Sequence, residues 1–386
     1  MLAINLLWVS AQDKTGAFIY VKNLLDNLFS LDNTTTYLII VRARDYHYFN
    51  ATYSQPPRIQ VAINDIRVNI TRHPLRALVK FWYKLRHNER KIEQIIAAEL
   101  TELAQRKNVK KMFFPTQVIY PRGLVGIEHY VTVLDLQHEY LPENFSAKEL
   151  AHRRDNLDYI CQTAHHLFAI SEYTKKTLLE KYQLPENKIT VTPLAPHETN
   201  AKAESIDLPS KYLFYPAALW SHKNHRLIIE VLNKLRLAHP DLHVVFSGLI
   251  KKVSIKKELD ELVKKYDLVN QVHFLGLVSD EVLEYLYRQA TLMIFPSLFE
   301  GFGMPILEAY RHNLPVVAAR NSSITEVAGD ATLLCETNNV QEFTEAIKTL
   351  LENNELRKSL IPKMQSRLAF FSWQKTAKLT LQQLTQ

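Results

Sequence analysis

The chain has 386 residues, 47% apolar and 23% charged, the balance of a globular protein with two or three cores, and this excludes a disordered chain. Two cysteines, Cys161 and Cys335, exclude a disulfide scaffold and fit a reducing compartment, and no run nears the roughly 18 apolar residues of a membrane span. The net charge of +7 favours polyanionic partners, meaning phosphates, nucleic acid or an anionic membrane.

The opening run Met1–Ser10 lacks a basic n-region and a small-residue cleavage site, so no signal peptide is expected. Within it, Ala3–Trp8 reads as a buried strand. SAQDKTGA follows, with Gly16 opening a helix whose apolar residues fall at 17, 21, 24, 25 and 28. This turn has neither of the glycine-rich phosphate-loop fingerprints. Strands Tyr37–Val41 and Arg58–Ala62 come next. The segment Thr71–Lys91 then holds seven Lys or Arg against one acid. Arg76, Lys80 and Lys84 form one stripe on it, and Leu75, Leu78, Val79, Trp82 and Leu85 another. Such a helix either lies on an anionic membrane or packs its apolar stripe on a core with its basic face in water. Beyond it are strands Met112–Phe114 and Tyr130–Leu134. Asp135, His138 and Glu139 follow the latter, a strand-end carboxylate beside a histidine and so a candidate acceptor site or base. Strands His166–Ile170 and Ile189–Thr192 complete the first run.

The polar, unpatterned stretch His197–Ser210 reads as a linker. The alternation then restarts, with strands Tyr212–Tyr215, His243–Phe246, Val272–Phe274, Leu292–Phe295 and Pro315–Ala318. Helices such as His225–Ala238 and Asp280–Gln289 lie between them. Strand–helix alternation predicts parallel sheets covered on both faces, and two such runs predict two doubly wound α/β domains. Open parallel sheets bind ligands at the carboxyl ends of their strands, so the chemistry is expected in the loops facing a shared cleft.

Two of those loops carry the clearest signals. In FPSLFEGFGMPILEA a strand ends at Phe295, and a helix starts near Pro305, where a missing N–H costs nothing. The free N–H groups from Phe302 to Met304 can hold a phosphate or sugar oxygen, and Gly301 and Gly303 let that backbone come close. This matters in a chain with eight glycines where average usage gives roughly 27. Glu308, one turn into the helix, suits a ribose diol, and Glu300 suits sugar hydroxyls. In YPAALWSHKNH, Lys223 sits beside His222 at a strand end. A lysine 4 Å from a diphosphate is worth about 4 kcal/mol before desolvation, enough to stabilise a leaving group. No D-x-D pair and no G-x-S-x-G elbow occurs.

With EGFGMPILEA, the HKNH run, GLVSDEVLEYLYRQA and LPVVAARNSSITEVAGDATLL, the chain resembles the retaining nucleotide-sugar glycosyltransferases of the GT-B fold. These are the glycosyl transferases group 1, family four, here of bacterial surface-glycan type. The match is strong over Tyr212–Leu351 and looser before it, through Gly16, LDLQHEYLPENFS and ISEYTKKTL. The resemblance implies two Rossmann-like domains facing across a cleft. An acceptor domain would cover 1–200, a donor domain 201–365, and a C-terminal helix in 366–386 would cross back to the first domain. It implies catalytic roles for Asp135, Lys223 and Glu300. It places Gly16, His222, Lys223, Gly248, Val278, Phe302, Gly303, Met304 and Glu308 around the donor, and Asp135 and His138 on the acceptor side.

The reaction implied is transfer of a mannosyl, glucosyl or deoxyhexosyl group with retention and without a metal or other cofactor. UDP or GDP sugars are the implied donors, and a glycan or lipid-linked glycan the acceptor. The implied place is the cytoplasm, at the inner face of the membrane if 71–91 binds it, and no nucleic acid partner is expected. One departure stands out. The family reads His-Asp-Leu where this chain has Leu134-Asp135-Leu136. That keeps open a non-catalytic protein of this fold that binds glycan or nucleotide, and the fold also admits a sugar phosphorylase.

Overall fold

Seven short apolar runs in the first half pair edge to edge as a parallel sheet. The computed structural model describes residues 1–12, 16–64, 89–197, 201–250 and 252–386. The strands are β1 (Leu2–Asn5), β2 (Tyr37–Val41), β3 (Ile59–Ile63), β4 (Lys111–Phe114), β5 (Glu128–Val133), β6 (His166–Ala169) and β7 (Ile189–Val191). Their order across the sheet is β3-β2-β1-β4-β5-β6-β7. The helices between them are α1 (Gly16–Leu31), α2 (Ala43–Tyr53), α3 (Glu89–Arg106), α4 (Gln137–Tyr140), α5 (Ala147–Thr163) and α6 (Glu172–Tyr182). In β1, β2 and β6 every residue is buried, as expected of parallel strands covered on both faces.

The second half repeats the plan. Strands β8 (Tyr212–Pro216), β9 (His243–Ser247), β10 (Val272–Phe274), β11 (Leu292–Phe295), β12 (Val316–Ala319) and β13 (Leu333–Cys335) pair in the order β10-β9-β8-β11-β12-β13, all parallel. Helices α7 (His225–Leu235), α8 (Val253–Lys265), α9 (Asp280–Gln289), α10 (Met304–Arg311), α11 (Ser322–Ala328), α12 (Val340–Glu352) and α13 (Asn354–Leu368) follow in chain order. The two Rossmann-like domains of the sequence reading are therefore present. β13, three residues long, is an addition to it.

The last helix, α14 (Trp373–Thr385), leaves the second domain and packs along α1 of the first. Its Trp373 is 2% exposed, lies 6.2 Å from the Tyr20 ring and donates from Nε1 to the Pro196 carbonyl at 2.9 Å. The chain thus crosses between the domains twice, once near Pro196 and once before Trp373. Of the basic segment 71–91, residues 71–88 lie outside the described residues, and so does the stripe Arg76, Lys80 and Lys84. No described helix is long and apolar enough to cross a membrane.

Candidate functional site

The loop from β11 to α10 lies where the two domains meet. Gly303 has φ +106°, a value that favours glycine, and serves as the N-cap of α10, with Pro305 in the first turn. The loop is held from below by the start of α11. The Glu300 N–H donates to Ser322 Oγ at 3.0 Å, and the Ser323 hydroxyl sits 2.8 and 2.9 Å from the Glu300 and Phe302 carbonyls. Above the loop is the first domain. A Cβ at Gly301 would fall 2.0 Å from the Leu134 carbonyl oxygen at the end of β5, so only glycine fits. Ser171 Oγ donates across the seam to the Gly301 carbonyl at 2.8 Å.

Lys223 and Glu300, 77 positions apart, form an ion pair of 2.5 Å in which both side chains are largely buried. Lys223 lies on the short turn after β8, and its carbonyl accepts from the Tyr215 hydroxyl at 3.0 Å. Burial alone would push the Glu300 carboxyl up. Lys223, then His222, together with hydrogen bonds from Lys223 and Ser297, outweigh it and hold the carboxyl below its usual range. The His222 pKa falls to about 4, first through burial and next through the Lys223 charge. At neutral pH the imidazole is therefore uncharged, and Lys223 is the cation of this pair of neighbours.

Glu308 is half-buried one turn into α10. Its Oε2 accepts from the Tyr287 hydroxyl of α9 at 2.6 Å. The Tyr287 ring is itself fixed, edge-on to Phe214 at 5.1 Å and stacked on His312 at 5.4 Å. Burial first, and then the Glu308 charge, keep the Tyr287 phenol protonated, so it remains a donor. The second domain's other expected donor contacts divide. Phe302 is buried against Phe371, ring centroids 5.6 Å apart, so its side chain is core, while Met304 is half-buried. A Cβ at Gly248 would lie 2.5 Å from the Ala217 carbonyl carbon, and the Gly248 N–H is already donated to the Gly276 carbonyl at 2.7 Å. Gly248 thus joins two loops rather than presenting a free amide. Val278 is half-buried beside them.

On the first domain, Asp135 lies directly opposite Gly301, whose Cβ would come within 3.1 Å of the Asp135 Cβ. Its Oδ1 accepts from the Gln137 N–H at 3.0 Å. Gln117 Oε1 accepts from both the Leu134 and Asp135 amides at 2.9 and 3.0 Å, which fixes the strand end. His138 does not join this surface. It is 1% exposed, packed 3.6 Å from Glu139, and burial lowers its pKa. As enclosed here, the ring offers no face to an acceptor. Gly16 opens α1 exposed, and a Cβ there would meet nothing within 4 Å.

Sequence reasoning missed Tyr287, Gln117, Ser171 and Glu326. The Glu326 carboxylate reaches from α11 to the start of α6 in the other domain and accepts from the Glu172 and Tyr173 amides at 2.9 and 3.1 Å. The seam is also packed by Phe299, stacked on Tyr140 at 5.3 Å and edge-on to Tyr173 at 5.9 Å. Among the described residues no three His, Cys, Asp or Glu side chains are grouped to hold a metal ion.

Two parallel-sheet Rossmann-like domains meeting across such loops define the GT-B class. HepE of Anabaena, solved with UDP and glucose, superposes with a TM-score of 0.69 at 17% identity, covering 100% of this chain and 99% of that one. WaaG, a glycosyltransferase involved in lipopolysaccharide biosynthesis, gives 0.68 at 12% identity over 100% of both chains. Residues 196–367 match the family model described as glycosyl transferases group 1.

Among curated proteins, the O-antigen chain mannosyltransferase B of Escherichia coli is 26% identical over 251 residues, 60% of this chain and 65% of that protein. The O-antigen chain mannosyltransferase RfbU of Salmonella typhimurium is 27% identical over 57% of this chain and 60% of its own. The chain therefore spans less than two thirds of the length of these relatives.

Proposed function

We propose that the protein is a retaining, metal-independent group 1 glycosyltransferase that moves a hexosyl group, mannosyl by preference, from a nucleoside diphosphate sugar to a bacterial surface-glycan acceptor. The observation that carries this reading is the convergence of Lys223, Glu300 and the start of α10 at one seam, with Glu308 one turn further on. The mannosyl preference rests on the two O-antigen mannosyltransferase relatives. A bound diphosphate would meet Lys223 and the first amides of α10, which together supply positive charge where negative charge develops. Glu308 would accept from a ribose hydroxyl, and Glu300 from the donor sugar.

The transfer is written as follows. The bond from the sugar C1 to the diphosphate oxygen breaks, and its electron pair stays on the phosphate. The acceptor hydroxyl oxygen bonds to C1 on the same face, and its proton passes to that phosphate. Asp135, opposite Gly301, would orient the acceptor; Asp135→Asn transferring sugar at the wild-type rate would remove it from that role. The cytoplasmic face of a membrane is the place this reading gives the protein.

The test is thermal unfolding with UDP, GDP, ADP, CMP and dTDP, a chelator present throughout. A ligand at 100 times its Kd adds about 2.7 kcal/mol, several degrees for domains of this size. One nucleoside diphosphate should stabilise the protein without metal. A flat response to all five would leave the seam without a donor and favour a non-catalytic role.

A further inference from the structure

A cavity of about 1040 Å³ opens in the first domain, at the carboxyl ends of β1, β2 and β4. It is as large as the upper end of the roughly 300–1,000 Å³ range of drug-sized ligand sites, more than one pyranose fills. Trp8 lines it, and its side chain is 53% exposed, the most exposed aromatic ring among the described large apolar residues after Phe370. An indole left this open on a cavity wall needs a reason, because Trp373 is buried and Trp220 half-buried.

The ring is nevertheless held. Tyr120 meets it edge-on, 6.0 Å and 86°, and the Arg42 guanidinium lies 5.4 Å from its centroid. Asn5, at the end of β1, accepts from the Leu7 amide at 3.1 Å and donates to the Tyr120 carbonyl at 2.9 Å, tying both ring-bearing loops together. A rigid, partly open aromatic ring suits the C–H face of a sugar. Among the described lining residues Arg42, Arg44 and Arg122 stand against Glu89, Glu93 and Asp155. A phosphate-bearing ligand would call for a net positive lining, whereas a neutral glycan suits mixed donors and acceptors.

The place of the cavity sets which sugar it would hold. Asp135 lies two residues past β5 and Trp8 three past β1, with β4 between those strands in the order β1-β4-β5. At about 4.8 Å per strand the two strand ends are roughly 10 Å apart, so the loops sit on the scale of a sugar and its neighbour in a chain. The cavity wall reaches the Asp135 loop through one contact, since Asn156 donates to the Gln117 carbonyl at 2.6 Å and Gln117 holds Leu134 and Asp135. We propose that this cavity is an acceptor subsite for a neutral oligosaccharide, with Trp8 stacking on a sugar beyond the one that reacts. The inference rests on the transferase reading above.

The experiment titrates the full chain, saturated with UDP or GDP, with mannose, α-mannobiose and α-mannotriose, and in parallel with glucose and maltotriose. Binding is read by tryptophan fluorescence and calorimetry. In one of the two sugar series the trisaccharide should bind at least about tenfold tighter than the monosaccharide. Trp8→Ala should cut that gain below about threefold, and Trp8→Phe, which keeps a smaller ring, should retain part of it. No gain with length in either series, or a full gain in both variants, overturns the subsite. The nucleoside diphosphate Kd separates the two readings: if neither UDP nor GDP binds, the transferase reading fails, whereas diphosphate binding without a length effect sinks this inference alone.

Discussion

Lys223 and Glu300 show how a loop at the seam can hold two buried charges. Each side chain is largely out of water, so neither charge is tolerable without the other. Lys223→Met leaves a buried carboxylate unpaired, and breaking such a pair costs about 3–5 kcal/mol. Lys223→Met with Glu300→Gln should recover most of that loss, because replacing both charges is often near neutral. Urea melts of the two variants check this, and equal stability of both would show that the pair is not coupled. The residue types at this site were legible in the sequence, since Glu300, Glu308 and Lys223 all fall at strand ends or in a helix's first turns. Their partners were not. Tyr287 stands in a helix far along the chain from Glu308, and no spacing rule joins a phenol on one helix to a carboxylate on the next. His222 was legible as a histidine but not as an uncharged one, because burial is a tertiary property.

At the scale of elements, α11 carries more than its seven residues suggest. Its Ser322 and Ser323 fix the β11–α10 loop from its own domain, and its Glu326 caps α6 of the other. Burial raises the Glu326 pKa in spite of its two bonds, so it is the acceptor oxygens and not the charge that hold the helix start. Glu326→Ala removes both acceptors and leaves two amides at the seam unpaired. It should lower the melting temperature by about 2–4 °C. It should also increase the radius of gyration in small-angle scattering as the two domains part. An unchanged radius would mean that the aromatic packing at Phe299 alone sets the seam. The alternation of apolar runs predicted twelve of the thirteen described strands, because fully buried parallel strands are short continuous apolar stretches. β13 escaped, since three residues followed by a polar turn give too little pattern to read. Glu326 lay inside the run SSITEVAGD, but its carboxylate serves a helix more than 150 positions earlier.

For the whole molecule, acid should be felt through its enclosed histidines. Burial is the largest cause holding His166 and His222 at about 4 and His225 at about 3. Each folded value lies below the ordinary value near 6.5, so the fold favours the neutral ring. That stabilisation is complete above about pH 6.5 and is lost as the pH falls toward about 4, or about 3 for His225. Each ring contributes a slope of about 1.4 kcal/mol per pH unit in that window. Urea midpoints measured from pH 7 to pH 4 should fall steeply, and His166→Gln should remove one proton's worth of slope; an unaltered slope would contradict the assignment. The two-domain plan was legible from the repeat of strand–helix alternation around a polar linker. The cavity beside Trp8 was less so, because it is assembled from loops after separate strands.

The return of α14 to α1 also bears on how the protein is made. A ribosome releases the chain from its first residue to its last. Every strand and helix of the second domain therefore emerges while α1 still lacks the cover that Trp373 provides. The domain begun first is finished last. Until α14 is released, a strip of apolar surface on α1 stays uncovered, and a chain cut short just before Trp373 would carry the second domain's strands attached to an unfinished first domain.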